Sequence, residues 1–306
     1  MGELNSVRAA IQPTIAAAGG VLVPILVYLL IAGGPETADG WPIPTATDIA
    51  FALGVLAVFG RGLPSAVRIF LLALAILDDI VGIIFIAVLF AHDLHWGMLL
   101  LGLAGVVIFG VLSRLLHRSP VVLGVLMLAV GVCTWWAIAS SGVHATIAGV
   151  LLGLVMAARP ADRLRNALDP WVNGIILPLF AFAAAFVVIP AVSPGELSPA
   201  FFGIAVALPV GKIIGITLFG WIAMQLRPKG TAAPLEIPDL LAAGALGGIG
   251  FTVSLLLANL AFATEPMIRD QAILGVLAGS LIALVLSMIL VSLRARRYRL
   301  LAAASE

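Results

Sequence analysis

Residues 75–82, which read AILDDIVG, place two adjacent carboxylates in the middle of an otherwise apolar run that covers residues 70–90. A run of about 20 apolar residues is long enough to cross a bilayer as a helix. Each ionised Asp at the centre of a bilayer costs about 3 kcal/mol. No residue of opposite charge lies within the run, so Asp78 and Asp79 require partners from other parts of the chain.

The composition identifies the broad class of protein. Of the 306 residues, 62% are hydrophobic and 10% are charged, whereas soluble domains carry about 25% charged residues. The chain is therefore predicted to be an integral membrane protein. Its net charge of +1 predicts no nucleic-acid partner. The single cysteine, Cys133, excludes an internal disulfide and a metal site built from several cysteines.

Ten apolar runs are predicted to be membrane-spanning helices, each long enough to cross the bilayer. Their continuous apolar character favours helices over the alternating strands of a β-barrel. The fold class predicted is thus an all-α polytopic membrane protein. The ten runs cover residues 11–32, 43–60, 66–91, 97–116, 119–139, 142–158, 171–191, 200–226, 240–263 and 270–293.

The basic residues predict the orientation, because they are enriched in cytoplasmic loops. If the N-terminus and every second loop lie on one side, the opposite side holds only Arg269, and Lys212 lies within a span. Both termini are therefore predicted to be cytoplasmic. The basic residues on their side are Arg8, Arg61, Arg68, Arg114, Arg118, Arg159, Arg163, Arg165, Arg227, Lys229, Arg294, Arg296, Arg297 and Arg299.

Four ionisable residues are predicted to lie within spans, namely Asp48, Asp78, Asp79 and Lys212. An ionisable residue inside the membrane is a candidate functional residue by default. Span 3 carries the two adjacent acids and span 8 carries the lysine, so the two spans have opposite charges. Neighbouring residues of a helix point about 100° apart, so only one of the two acids can face Lys212 squarely.

Two spans are predicted to be interrupted. The second span begins with Pro42 and Pro44, and a proline disfavours helical geometry in the residue before it. Asp48 follows near the expected start of a half-helix, where a carboxylate compensates the exposed N–H groups. The ninth span contains GALGGIGFTVS at residues 244–254. Its glycines at positions 247, 248 and 250 either weaken the helix or allow close packing of helices.

The interrupted spans are the middle members of two triplets, spans 1–3 and spans 8–10, which run through the membrane in opposite directions. Paired broken helices in inverted repeats predict the binding site of a secondary transporter. The predicted organisation is a first core triplet at residues 1–95, a scaffold panel at 96–198, a second core triplet at 199–295 and a cytoplasmic tail at 296–306. Alternating access would be a movement of the core against the panel.

Several motifs of the chain, in this order, resemble those of the NhaA family of bacterial Na⁺/H⁺ antiporters. Together they extend over nearly the whole sequence. The motifs are TATDIAFALGVLA at residues 45–57, LALAILDDIVG at 72–82, SGVHATIAGV at 141–150, PLFAFA at 178–183, the Gly211-Lys212 pair and GIGFTVSLLLANLAF at 248–262.

The resemblance implies a role for each candidate residue. Asp79 would be the principal carboxylate that binds Na⁺ or H⁺, and Asp78 would form a proton-sensitive ion pair with Lys212. Thr47 and Asp48 would balance the dipoles of the half-helices and shape the site. Pro44, Gly247, Gly248 and Gly250 would form the helix breaks.

The resemblance also implies the activity. The protein would be a transporter and not an enzyme, exchanging cytoplasmic Na⁺ or Li⁺ for external H⁺ in the bacterial inner membrane without a cofactor. The Asp-Asp pair resembles the electrogenic branch of the family, which moves more H⁺ than Na⁺ per cycle.

The chain departs from the family pattern in two places. The family usually has twelve helices, and residues 1–10 resemble the loop after the second of them. The first two helices, and the hairpin between them that makes the family's main dimer contact, are therefore expected to be absent. The sequence thus leaves the formation of a homodimer undecided. In the loop at residues 161–171, Arg165 and Asn166 stand where relatives often carry a Glu-His pair, so the pH regulation of the family is not transferred.

Two alternatives to exchange remain open at this point. An intramembrane aspartyl protease also needs two carboxylates in the membrane, which Asp48 and Asp79 could supply on separate helices. It would have no use for Lys212 or for inverted broken helices. The second alternative is a folded remnant that does not transport.

Overall fold

The computed structural model describes residues 7–89, 94–115, 120–184, 197–226 and 235–303. These residues are mostly helical, and no β-strand occurs among them, which confirms the all-α class. The chain divides into two compact units. The first unit combines Met1–Gly82 with Phe180–Glu306, and the second is Ile83–Leu179.

The first unit contains the helices that carry the four candidate ionisable residues. Two short 3-10 turns, Ala38–Gly40 and Ile43–Thr45, precede its second helix, and a π-helical turn, Ala207–Gly211, joins two others. Its helices are α1 (Val7–Ala32), α2 (Ile49–Phe59), most of α3 (Ser65–Leu89), part of α8 (Leu177–Ala184), α9 (Pro199–Val206), α10 (Lys212–Gln225), α11 (Ile237–Gly247), α12 (Phe251–Ala261) and α13 (Pro266–Ala303).

The second unit contains the predicted scaffold helices. Its apolar core includes Val106, Ile138 and Ala148. α7 differs from the other helices because it is rich in charge and has no buried residue. The helices are α4 (Trp96–Leu115), α5 (Pro120–Ala139), α6 (Thr146–Val155) and α7 (Ala158–Trp171), which continues into a π-helical turn, Val172–Ile176.

The described helices give fewer full-length spans than the ten predicted. Seven are long and apolar enough to cross a membrane, and the bent pair formed by α11 and α12 makes eight. The sixth predicted span contains only the ten-residue helix α6. The seventh contains the π-helical turn Val172–Ile176 and α8, and residues 185–191 of its predicted range lie outside the described residues. The chain is a multi-pass membrane protein.

Close packing between α1 and α10 brings the two repeats together in the first unit. Gly215 of α10 lies against the backbone of Gly19 in α1, and a Cβ atom at position 215 would lie 3.0 Å from Cβ of Val23. Small residues let membrane helices approach in this way. The result is that α10, which begins at Lys212, runs directly beside the first helix of the other repeat.

Both predicted helix breaks are present. The second span consists of two 3-10 turns, an extended segment at residues 46–48 and the eleven-residue helix α2. Pro44 lies in the second of these turns. α11 ends at Gly247, α12 begins at Phe251, and the two helices are bent by 50° at the break.

The glycines at the second break are required by space and not by backbone conformation. Gly248 and Gly250 have φ angles of −72° and −91°, which any residue can adopt. A Cβ atom at position 248 would lie 2.8 Å from the carbonyl oxygen of Leu208, and one at position 250 would lie 3.2 Å from that of Ala46. The two roles expected for these glycines, a weakened helix and close packing, therefore both apply, because the helix breaks where other backbone segments pack closely.

The last helix is longer than predicted. α13 has 38 residues, about 57 Å at the usual rise per residue, whereas the hydrocarbon core of a bilayer is about 30 Å thick. Its final turns, predicted to be a separate tail from residue 296, continue the same helix to Ala303. Arg294 and Ala295, just before this segment, are buried, whereas residues 296–303 are exposed except for the half-buried Tyr298.

Candidate functional site

The two interrupted segments cross each other within the first unit. The backbone N–H of Asp48 donates a 2.6 Å hydrogen bond to the carbonyl oxygen of Ile249. This bond joins the extended segment at residues 46–48 to the break between α11 and α12. A helix break leaves N–H groups unpaired on one side and carbonyl groups unpaired on the other, and each set requires partners away from water.

The Asp48 carboxylate supplies partners for the N–H groups of both half-helices. Its Oδ1 accepts the Phe51 N–H of α2 at 3.2 Å. Its Oδ2 accepts the N–H of Thr252 in α12 at 3.1 Å and the hydroxyl of the same residue at 2.6 Å. Because a helix N-terminus carries partial positive charge, one buried anion compensates two half-helices at once.

A third side chain completes the start of α12. The Phe251 N–H donates to Oγ of Ser280 in α13 at 3.2 Å. The rings of Phe51 and Phe251 pack edge to face with 5.0 Å between their centroids. The first residues of α2 and α12 are therefore in contact through both polar and apolar groups.

The carbonyl groups at the breaks have donors of their own. Nζ of Lys212 donates to the Thr45 carbonyl at 2.5 Å, and Oγ of Ser254 donates to the Ile43 carbonyl at 2.8 Å. At the end of α11, the Gly247 carbonyl lies 2.8 Å from the Thr47 hydroxyl. A lysine ammonium at such a carbonyl end compensates its partial negative charge.

Lys212 and Asp78 form an ion pair that is closed off from solvent. Nζ lies 2.6 Å from Oδ2 of Asp78, and both side chains are 0% exposed. The ammonium also contacts the Thr45 carbonyl and Oγ1 of Thr47, the latter at 3.1 Å. An ammonium has three N–H donors, so all three are used. A neutral amine would have two, and it would release one of these acceptors.

The Thr47 hydroxyl has more acceptors than it can serve. Its Oγ1 lies 2.7 Å from Oδ2 of Asp78 and 2.8 Å from the Gly247 carbonyl. A hydroxyl donates one proton, so Thr47 donates to one of these two oxygens at a time. Thr47 therefore connects the charge state of Asp78 to the carbonyl end of α11.

The two adjacent acids have different environments. Oδ1 of Asp78 is buried and has no hydrogen-bond partner among the described residues. Asp79 is half-buried and interacts electrostatically with Asp48, Asp78 and Lys212. Asp78 is therefore the acid that is bonded to the protein, and the hydrogen bonds found in the described part of the chain leave the Asp79 carboxylate oxygens available.

Three polar residues of the site were not predicted from the sequence. Thr252, Ser254 and Ser280 all bond to groups at the crossing. The first two lie in the first turn of the half-helix after the GGIG sequence, and polar side chains beside a helix break are a recognisable signal, because the backbone groups of a break need partners. Ser280 gave no such signal, because an isolated serine in an apolar helix does not reveal which helix it faces.

Two buried charges outside the predicted spans were not expected from the sequence. Asp239 precedes the predicted span at 240–263 and Arg294 follows the one at 270–293, but both are buried, at 1% and 5% exposure. Nε of Arg294 lies 2.9 Å from Oδ1 of Asp239. A second buried ion pair thus lies away from the crossing. His144, a half-buried residue, has its Nδ1 3.0 Å from Oγ1 of Thr146.

No cluster of three or more His, Cys, Asp or Glu side chains that could hold a resident metal ion occurs among the described residues. The carboxylates of Asp78 and Asp79 are hard oxygen ligands of the kind that small hard cations prefer. With backbone carbonyls and hydroxyls nearby, they can bind a cation reversibly. The chemistry available at this site is therefore exchange of a small cation and a proton.

In a comparison with known proteins, the matching family and the relatives described below are all Na⁺/H⁺ antiporters. The family described as Na⁺/H⁺ antiporter 1 matches residues 1–291. A "Na(+)/H(+) antiporter NhaA 2" of Clavibacter michiganensis is 53% identical over 313 aligned residues, which cover 100% of this chain and 76% of the relative. A "Na(+)/H(+) antiporter NhaA" of Tropheryma whipplei is 46% identical, with 94% and 74% covered. A protein of the same name from Escherichia coli O139:H28 is 44% identical, with 92% and 74% covered.

Proposed function

The chain belongs to the Na⁺/H⁺ antiporter 1 family, and from this premise we propose that it exchanges Na⁺ for H⁺ at the carboxylates of Asp78 and Asp79. It is a transporter and not an enzyme. The observation that carries the assignment of the site is the contrast between the two acids. Asp78 is paired with Lys212 at 2.6 Å, while Asp79 beside it keeps its oxygens available at the crossing of two broken helices.

Exchange follows from competition for the same oxygens. Transfer of a carboxylate out of water favours its neutral, protonated form, so a proton occupies the site until the pH rises. The deprotonated carboxylate then binds Na⁺. A site that binds Na⁺ or H⁺ but never both exchanges the two ions if only its occupied forms change access.

Lys212 supplies a second coupled proton in this scheme. Its ammonium makes three hydrogen bonds, and the ion pair with Asp78 is one of them. When Na⁺ binds the acids, the negative charge that stabilises the ammonium is reduced. Lys212 can then release its proton, so the cycle moves more H⁺ than Na⁺ and is electrogenic. Because these groups titrate together, the release belongs to the cluster and not to one residue.

Asp48 and Thr47 support the site without carrying the ion. The Asp48 carboxylate is bonded to three donors from α2 and α12, which suits a stationary anion. The Thr47 hydroxyl donates either to Asp78 or to the Gly247 carbonyl, so the charge of Asp78 affects the end of α11. Pro44, Gly248 and Gly250 maintain the crossing, because they terminate helical geometry or leave room for the backbones to pass.

We infer from the family resemblance that the transport cycle takes place in the bacterial inner membrane, and from the distribution of Arg and Lys that both termini lie in the cytoplasm. Cytoplasmic Na⁺ leaves in exchange for external H⁺, and Li⁺ is accepted as a second cargo because it is also a small hard cation. Access alternates by movement of the two core triplets against the scaffold helices. The membrane-spanning helices are surrounded by bilayer lipid.

The intramembrane protease is disfavoured by the surroundings of Asp48. Two catalytic carboxylates must share one water molecule, but Oδ2 of Asp48 accepts both donors of Thr252, and Oδ1 accepts the Phe51 N–H. A carboxylate fixed by three donors at two helix ends is poorly placed to activate water with Asp79. The family assignment also names an antiporter.

The test uses acid-quench fluorescence in everted membrane vesicles. Addition of Na⁺ or Li⁺ should dequench the fluorescence in the wild type, and Asp79→Asn should abolish the response. Asp162→Asn, which removes an exposed carboxylate of α7, is the matched control and should respond as the wild type does. Wild-type exchange by Asp79→Asn would overturn the site, and a wild type with no response would support the inactive remnant.

A further inference from the structure

A second cluster of charges, distant in sequence from the Asp pair, lies between the start of α11 and the end of α13. Nε of Arg294 lies 2.9 Å from Oδ1 of Asp239, and the two side chains are 6% and 1% exposed. Nη2 of the same arginine lies 2.8 Å from Oε2 of Glu236. The Tyr298 hydroxyl donates to Oδ2 of Asp239 at 2.8 Å.

The buried carboxylate of this cluster has donors on both oxygens. Oδ2 of Asp239 also accepts the Glu236 N–H at 2.9 Å, so its two oxygens receive three donors. The Arg294 guanidinium lies 4.9 Å from the centroid of the Tyr298 ring, within the range of a cation–π contact. Several directional bonds to one buried carboxylate make the geometry around it specific.

Stability alone is a weak explanation for burying this pair. Removing two charges from water costs about as much as their attraction returns, and apolar residues often serve as well. The start of α11 already has a capping box formed by Glu236 and Asp239. The added arginine therefore fixes something that the cap does not, which is the position of α11 relative to α13.

α13 contacts the broken span at a second point. Oγ of Ser280 accepts the Phe251 N–H at the start of α12, and Arg294 lies 14 positions further along, about 21 Å in a helix. One continuous helix thus binds the start of α11 at one point and the start of α12, at the break, at another. The distance between these two points of α13 sets where the break lies.

The same end of α13 also reaches the other repeat. Gly62, in the turn between α2 and α3, has a φ of +100°, and a Cβ atom there would lie 2.7 Å from Cγ of Arg299. The turn that leads to the helix of the Asp pair is therefore packed on α13. The final turns of α13 join parts of both triplets.

We propose that Arg294 and Asp239 are positioning residues for ion exchange, because their ion pair fixes α11 so that its far end, at Gly247, meets Thr47 beside Asp78. The proposal rests on the proposed function of that site. α11 transmits the position of its start over eight residues, about 12 Å of helix. Loss of the pair should change how the site binds Na⁺ and not only how much protein folds.

The experiment compares Arg294→Gln with Arg296→Gln in everted vesicles at matched protein levels. Arg296 is exposed, lies two residues away on the other side of the helix and carries the same charge. We expect Arg294→Gln to raise the apparent KM for Na⁺ about tenfold and to displace the pH profile, while Arg296→Gln leaves both unchanged. Asp239→Asn combined with Arg294→Gln should recover part of the loss, because no unpaired buried charge remains.

A second readout does not depend on transport. Hydrogen–deuterium exchange of residues 237–250 should be faster in Arg294→Gln than in Arg296→Gln, because an unanchored helix opens more often. If Arg294→Gln is not inserted, Arg294→Lys takes its place, since it retains the charge but loses the planar fork. If Arg294→Gln and Arg296→Gln have the same KM for Na⁺ and the same pH profile, the positioning role is overturned, even if hydrogen–deuterium exchange of α11 is faster in Arg294→Gln. A wild type without Na⁺-dependent flux would instead contradict the proposed function.

Discussion

Thr252 donates two hydrogen bonds to one oxygen of Asp48, from its backbone N–H at 3.1 Å and from its hydroxyl at 2.6 Å. The other oxygen of the same carboxylate accepts from Phe51 in α2. The starts of the two half-helices are therefore joined through one anion, and the inverted repeats meet at a shared cap. The crossing depends on this bridge in a way that can be measured.

Thr252→Val should lower the free energy of unfolding by about 1–2 kcal/mol, because it removes a buried hydrogen bond to a charged acceptor and retains the shape of the side chain. Thr252→Ser should restore most of the loss, since it retains the hydroxyl. Thermal unfolding of the purified protein in detergent measures both changes. Equal melting temperatures for the valine variant and the wild type would show that the hydroxyl adds nothing to the cap.

Lys212→Gln should be more damaging to stability than the loss of both members of the ion pair. The single variant leaves Asp78 buried without its cation, at a cost of about 3–5 kcal/mol. Asp78→Asn combined with Lys212→Gln leaves no unpaired charge and should recover a large part of that cost. A double-mutant cycle of unfolding gives the coupling between the two residues. Additive effects would mean that the 2.6 Å contact is not energetically important.

The apparent KM for Na⁺ should change with pH more steeply than it would if Na⁺ competed with one proton. Lower pH protonates the site, so the apparent KM for Na⁺ rises as pH falls, by about tenfold per pH unit for each competing proton. The wild type should exceed this slope, because Lys212 and the acids release protons together.

The matched variant for this measurement is Asp78→Asn combined with Lys212→Gln. Its slope should fall to that of one proton wherever transport remains measurable. Flux titrations at several pH values give the slope directly. A wild-type slope of one proton over the whole active range would contradict a proton-releasing role for Lys212.

Gly248→Ala should destabilise the protein, whereas Gly54→Ala should not. A Cβ atom at position 248 would lie 2.8 Å from the Leu208 carbonyl oxygen, while none of the described atoms lies within 4 Å of one at position 54. Overpacking costs about 1–3 kcal/mol. An alanine in the interior of α2 should instead stabilise by about 0.5–1 kcal/mol. Melting temperatures of the two variants, measured side by side, should therefore shift in opposite directions.

The candidate residues could be found from the sequence because they violate the pattern around them. Asp48, Asp78, Asp79 and Lys212 are charges in apolar runs, and their cost in lipid marks them without any knowledge of contacts. Pro44 and the glycines at positions 247–250 mark the breaks in the same way. The all-α class followed from the length and continuity of the runs.

The second ion pair could not be found in this way. Asp239 and Arg294 lie near the ends of apolar runs, where charges are common, so nothing in their sequence positions indicated that they would be buried. α13 was also predicted to end at residue 293, because hydropathy falls there. Helical packing continues beyond that point, since the final turns bury Arg294 and Ala295.

The sequence by itself determined the membrane class, the positions of the breaks and the ionisable residues, because each depends on the local cost of placing a residue type in lipid. Only the tertiary structure decided which groups pair. Asp78, and not Asp79, is bonded to Lys212, and Asp48 serves both the start of α2 and Thr252 of α12, which lies 204 positions further along the chain. Such pairings depend on how helices approach and rotate, and small differences in distance and direction decide them.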